Sequence, residues 1–100
     1  MNNIDNKIYE ISELFKIFGD YTRCKIVAKL FEREENVSNL SKHLEMSTSA
    51  ISHSLRILRQ ANIVKTQRRG KEIIYSLNDE HIYNIFQMAK EHVEELWEDL

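Results

Sequence analysis

The chain has no proline, two glycines and a single cysteine among its 100 residues. With no proline, helices are free to run. Gly19 and Gly70 mark the two sharp breaks that composition supplies. One thiol, Cys24, excludes an internal disulfide and fits a reducing compartment. No apolar stretch approaches the roughly 20 residues a membrane span needs. The opening Met1-Asn2-Asn3-Ile4-Asp5 has neither the basic n-region nor the apolar h-region of a secretory signal. The expectation is a cytoplasmic protein without a membrane partner. A glycine-rich phosphate loop is missing too, which removes one common enzyme class.

Hydrophobic residues make up 42% and charged residues 30% of the sequence, the balance of one globular domain spanning residues 1–100. So short a chain buries a modest share of its surface, and a second copy sharing a helical interface would add to it. The formal net charge is only −2, but its distribution is uneven. Residues 47–71 hold Arg56, Arg59, Lys65, Arg68, Arg69 and Lys71 with no acidic residue, whereas residues 78–100 hold seven acids and one lysine. A localised basic segment suits phosphate contacts whatever the total charge.

Ile4, Ile8, Ile11, Leu14, Phe15 and Phe18 recur at steps of three and four, which predicts an amphipathic helix ending at Gly19. Asp20 can cap a second helix whose apolar side is Ile26, Val27, Leu30 and Phe31, ended by the polar residues 32–36. A short third helix with Ser38 as its cap turns Leu40 and Leu44 inward. The turn Glu45-Met46-Ser47 then leads into a fourth helix, capped by Ser47, with Ile51, Leu55 and Leu58 along one side. Next the period changes. Residues 63–66 and 73–77 are rich in β-branched side chains, and Arg68-Arg69-Gly70-Lys71 between them makes a hairpin turn. Helical spacing returns after Asn78 and runs to the end. The expected fold class is mainly α with a small β-hairpin, a winged helix-turn-helix dimerising through its terminal helices.

In such an arrangement the second helix of the pair enters the DNA major groove. The fourth helix is apolar on one side and carries Ser47, Thr48, Ser49, Ser52, His53 and Arg56 at its start and outer face. Small hydroxyls near a helix N-terminus permit close approach to base edges and phosphates, which the helix dipole also favours. Arg68, Arg69 and Lys71 of the wing would reach the neighbouring backbone. Each feature alone also fits a solvated surface. Their adjacency points to double-stranded DNA.

The last helix holds Asp79, His81, His92 and Glu95, all zinc-type ligands. His81 and His92 are eleven steps of about 100° apart, so they share a face, yet about 16 Å of helical rise separates them. One helix cannot place both on one ion. An antiparallel copy can: Asp79 and His81 of one subunit would meet His92 and Glu95 of the other, giving two identical sites, with Ile85 and Met88 between them as a seam. From the residues alone a second reading stands beside this one. A histidine in an amphipathic helix is usually a surface or core residue, and seven acids place carboxylates near histidines by chance. Two imidazoles and two carboxylates suit Zn²⁺, with Co²⁺ as a mimic.

Residues 47–58, Ser-Thr-Ser-Ala-Ile-Ser-His-Ser-Leu-Arg-Ile-Leu, followed by Ala61-Asn62-Ile63-Val64, resemble the recognition helix of the ArsR/SmtB family of metal-responsive repressors. Phe18-Gly19-Asp20-Tyr21-Thr22-Arg23 and the wing resemble that family as well. Tyr21 stands where a proline is usual, and Thr48 where a glutamine is common. The resemblance implies the winged fold, a homodimer and a zinc site in the C-terminal helix, whose spacing Asp79, His81, His92 and Glu95 match. It further implies a hydrogen bond from a metal-bound histidine to a backbone carbonyl near Asn62. The expected function is a homodimeric repressor whose apo form binds operator DNA and which zinc at the interface releases. Two other readings remain: a regulator of this fold sensing a non-metal signal, such as oxidant at Cys24, or a winged-helix protein–protein module. An enzyme is not expected, because four protein ligands close a metal site to catalysis.

Overall fold

Each helix begins where a short polar side chain can accept a hydrogen bond from the free first-turn N–H groups. The computed structural model describes residues 2–98. Asn2 caps α1 (Asn3–Phe18) by accepting from the Asp5 N–H at 2.8 Å, and Asp20 caps α2 (Tyr21–Glu32) through Arg23 N–H at 3.0 Å. The α1–α2 corner at Gly19 is clamped by Arg23, whose Nε donates to the Ile17 carbonyl at 2.9 Å. Asn36, not Ser38, caps α3 (Val37–Leu44), with Asn39 N–H donating to its Oδ1 at 2.8 Å. The helix thus starts one residue ahead of Ser38. Ser47 caps α4 (Thr48–Gln60) as its position predicted, accepting from Ala50 N–H at 3.1 Å.

Two left-handed residues end α3 and α4 without glycine. Glu45 (φ 54°) opens the turn between them, where Met46 N–H reaches back to the Ser41 carbonyl. Asn62 (φ 59°) closes α4, with its own N–H on Arg59 and that of Ile63 on Leu58, a Schellman ending. The chain then enters β1 (Val64–Arg69) and returns antiparallel in β2 (Glu72–Leu77), paired from Val64↔Leu77 to Arg69↔Glu72. Arg68 and Arg69 therefore belong to a strand. Only Gly70 and Lys71 make the turn, and Gly70, at φ +63°, adopts a conformation that glycine takes without strain. The polar residues after α2 are also more than a helix stop. Glu35 exchanges both backbone hydrogen bonds with Tyr75 (3.0 and 2.8 Å), adding a one-residue third strand.

Ile26, Val27 and Leu30 of α2, Leu40 of α3, Ile51, Leu55 and Leu58 of α4, then Ile63, Val64 and Ile82 form one buried cluster. Full burial of one such side chain stabilises by roughly 1.5–3 kcal/mol, and these ten come from six parts of the chain. The cluster thereby fixes α4 against α2 and α3 with its polar face outward. α5 (Glu80–Glu98) docks on α2 through Phe31, whose ring lies 4.4 Å from that of Tyr83 and 5.0 Å from that of Phe86. Ile82 is its one buried residue. Cys24 is half-buried in α2, more open than a core position. Among the described residues no helix is long and apolar enough to cross a membrane.

Candidate DNA interface and metal ligands

Burying Ile51, Leu55 and Leu58 turns the other side of α4 to solvent. Thr48, Ser49, Ser52, His53, Arg56 and Arg59 are all exposed there, while Ser54 turns inward. Ser47 is exposed at the helix start. Its oxygen is engaged in capping, but its hydroxyl proton remains a donor for a phosphate at this positive helix end. A row of short hydroxyls followed by two arginines can lie against base edges and backbone together.

The wing is less uniform than its sequence. Arg68, Arg69 and Lys71 are exposed, but among the described residues Arg68 and Lys71 have no acidic partner, whereas Arg69 does. Both terminal nitrogens of its guanidinium grip Glu34 of the α2–α3 loop, Nη2 at 3.1 Å from Oε2, and Nη2 also donates to Gln67 at 2.8 Å. Nearby, Asn36 Nδ2 donates to Glu72 at 2.9 Å. Glu34, Asn36, Gln67 and Glu72 escaped the sequence reading. Their partners lie up to 36 residues away, and no local pattern marks them.

Asp79 is the N-cap of α5. Its Oδ1 accepts from Ile82 N–H at 3.1 Å, its Oδ2 accepts from the Asn78 amide at 3.3 Å, and the bond from Ile82 leads in holding its carboxyl below the ordinary value. His81, 91% exposed, places Nδ1 3.6 Å from Asp79 Oδ1. His92 and Glu95 are exposed nearer the other end of the helix. The two pairs do not meet within one chain. Among the described residues no three His, Cys, Asp or Glu side chains of one chain form a metal cage. Asp79 and His81 bring a carboxylate and an imidazole together, while His92 and Glu95, three residues apart on α5, are open to solvent; in donor type each pair is half of a zinc-type set. Ile85 and Met88, the expected seam, divide: Ile85 packs on the protomer's own core, and Met88 stays 70% exposed.

Comparison with known proteins agrees with this geometry. Residues 20–66, from the α2 cap into the wing, match the family model described as bacterial regulatory protein, arsR family. A transcriptional repressor SmtB homolog of Synechocystis is 35% identical over 86 residues, which are 86% of this chain and 65% of the relative, so the chain spans about two thirds of its length. A cadmium resistance transcriptional regulatory protein CadC homolog of Staphylococcus aureus is 36% identical over 88 residues, 87% of this chain and 73% of that protein. In fold, the chain is similar (TM-score 0.92, 18% identity, 100% of this chain and 93% of the other) to the homodimeric winged helix-turn-helix DNA-binding domain of a Mycobacterium bovis protein described as a possible ArsR-family regulator. The chain belongs to the ArsR/SmtB family of bacterial transcriptional regulators, and its winged helix-turn-helix is a DNA-binding fold, not that of an enzyme.

Proposed function

We propose that the chain is a cytoplasmic, homodimeric, zinc-responsive repressor: the metal-free dimer holds operator DNA through α4 and the wing, and zinc at the dimer interface releases it. The observation that carries this reading is on α5. Two exposed histidine–carboxylate pairs, Asp79 with His81 and His92 with Glu95, stand toward opposite ends of a helix whose Met88, Leu96 and Trp97 are uncovered. Ile4, Ile8, Ile11 and Phe15 leave α1 equally open, so both terminal helices lack a cover that a second copy supplies. Pairing α5 with an antiparallel copy unites the two halves of the donor set. It also makes the metal-free protein a dimer, because the apolar faces need no ion to associate.

Zinc, when bound, would supply a four-ligand cross-link between the subunits. The chain's own residues connect that link to DNA. Asp79 keeps Oδ1 on the Ile82 N–H, leaving Oδ2, held only by the Asn78 amide, to turn toward an ion. The Asn78 N–H donates to the Ile63 carbonyl at 2.9 Å, tying the start of α5 to the residue that follows Asn62 at the exit of α4. Zinc must then favour the conformation that holds DNA less well, since coupling is a difference in affinity between two states. Similarity to a cadmium resistance transcriptional regulatory protein supports metal control, and similarity to a transcriptional repressor homolog supports repression. With Cys24 as the one thiol, a borderline ion suits this donor set better than a soft one.

The test is fluorescence anisotropy on a duplex selected from a randomised pool, with and without two equivalents of zinc per dimer. The expected result is a loss of affinity of about tenfold or more with zinc, within the usual range of allosteric coupling. His81→Ala and His92→Ala should hold the duplex equally with and without the metal. Unchanged affinity while zinc is bound would contradict the reading.

A further inference from the structure

The wing carries two adjacent arginines, and a strand sends neighbouring side chains to opposite faces. Arg68 shares its face with Val64 and Thr66 and pairs across the ladder with Ile73; among the described residues its guanidinium bonds only to its own turn, with Nε 3.4 Å from the Gly70 carbonyl. Arg69 stands on the other face beside Gln67 and opposite Glu72. Three of its five N–H donors are engaged there, with both terminal nitrogens on Glu34 and a further bond to Gln67. The loop that holds Glu34 is itself fixed to the wing at the next two residues, Glu35 by its backbone bonds to Tyr75 and Asn36 by its amide on Glu72. Glu34 is therefore a placed partner. A two-point fork between guanidinium and carboxylate is among the stronger polar geometries, and it uses the donors a phosphate would need.

We propose that Glu34 withholds the guanidinium fork of Arg69 from DNA, so that the tip of the wing offers Arg68 and Lys71 alone and Glu34 sets its share of sequence-independent affinity. The inference rests on reading α4 and the wing as the DNA face. A phosphate can take both terminal nitrogens of Arg69 in a two-point fork only by displacing Glu34, which leaves a carboxylate beside the DNA backbone. Fewer wing–phosphate contacts lower binding to every sequence and leave more of the discrimination to the face of α4. Glu34 is thus a positioning residue that tunes specificity without touching a base.

A double-mutant cycle tests it: wild type, Glu34→Gln, Arg69→Ala and the double variant, each bound to a duplex of unrelated sequence over a range of salt. Glu34 is part-exposed in a loop, so these proteins keep the core. Glu34→Gln should bind more tightly, with the log–log salt slope steeper by about 0.9, the increment of one added phosphate contact. In the Arg69→Ala background the same substitution should leave the slope where it was. A steepening of equal size in both backgrounds would overturn the proposal, because any removed acid would then serve. So would weaker binding by Glu34→Gln, which would mean that Glu34 presents Arg69 to DNA. A wild-type protein that binds no duplex at low salt overturns the DNA face and this inference together, whereas wild-type binding that Glu34→Gln leaves unchanged overturns this inference alone.

Discussion

Glu35 is a charged residue in a place that usually excludes charge, 6% exposed between α2, α3 and the wing. It stays there because both oxygens are occupied, Oε2 by the Asn39 amide at 2.9 Å and Oε1 by Arg33 Nε at 2.6 Å. The Asn39 bond does most to hold its carboxyl below the ordinary value, against burial, which pushes the other way, and with help from Arg33 and His43. A carboxyl depressed in the folded state contributes stability that is present above its unfolded pKa and lost as pH falls through the folded one. Glu35→Gln should therefore lower stability by about 1–3 kcal/mol near neutrality, the usual cost of spoiling a buried polar pair. The gap from wild type should narrow as the solution is acidified below the carboxylate range. Urea unfolding of both proteins at neutral and acid pH checks this, and a gap independent of pH would contradict it. The sequence shows Glu35 only as one of several polar residues after a helix. Its burial depends on Tyr75, forty positions away, and that pairing leaves no trace in local spacing.

At the scale of elements the chain was far more legible. The 3.6-residue spacing of Ile51, Leu55 and Leu58 and the cap at Ser47 place α4 and its outer face where they are found, because both signals are local. The errors are of reach. Ser38 looked like a cap, yet it lies inside α3, which Asn36 caps from just before its first residue, and the first wing strand runs on through Arg68 and Arg69 because the turn needs only two residues. Glu45 and Asn62 hold left-handed positions that composition, with its two glycines elsewhere, could not announce. The face of α4 and the wing should divide the work of binding. Ser52→Ala and His53→Ala should erode the preference for a selected duplex over an unrelated one, whereas Arg68→Ala should weaken both alike and reduce the salt slope by about 0.9. Competition binding with the two duplexes measures the split. Equal losses of preference from all three variants would show that α4 is not the reading element.

For the whole molecule, the informative surfaces are those one chain leaves uncovered. The stripe on α1 is amphipathic as its spacing predicts, but only Leu14, Ile17 and Phe18 pack against the core, while Ile4, Ile8, Ile11 and Phe15 stay exposed. A groove of about 610 Å³ lined by Ile11, Leu14, Ile17 and Ala61 beside α1 continues that open surface. Trp97 is 70% exposed on α5, near the other terminus. The proposed metal ligands follow the same logic, since Asp79 with His81 and His92 with Glu95 would each complete only half a site. That reading comes from sequence spacing, because helical geometry fixes which residues share a face and how far apart they lie. The structure adds that Asp79 caps α5, a task beside the one proposed for it at the metal. The most direct measurement is zinc stoichiometry of a mixed dimer, one chain carrying His81→Ala and the other His92→Ala, isolated through two affinity tags. Ligands shared across the interface leave one site without either histidine and the other intact, so the mixed dimer should bind a single tight zinc while each parent dimer binds none. A mixed dimer that binds no zinc, or parents that bind it tightly, would contradict the shared site.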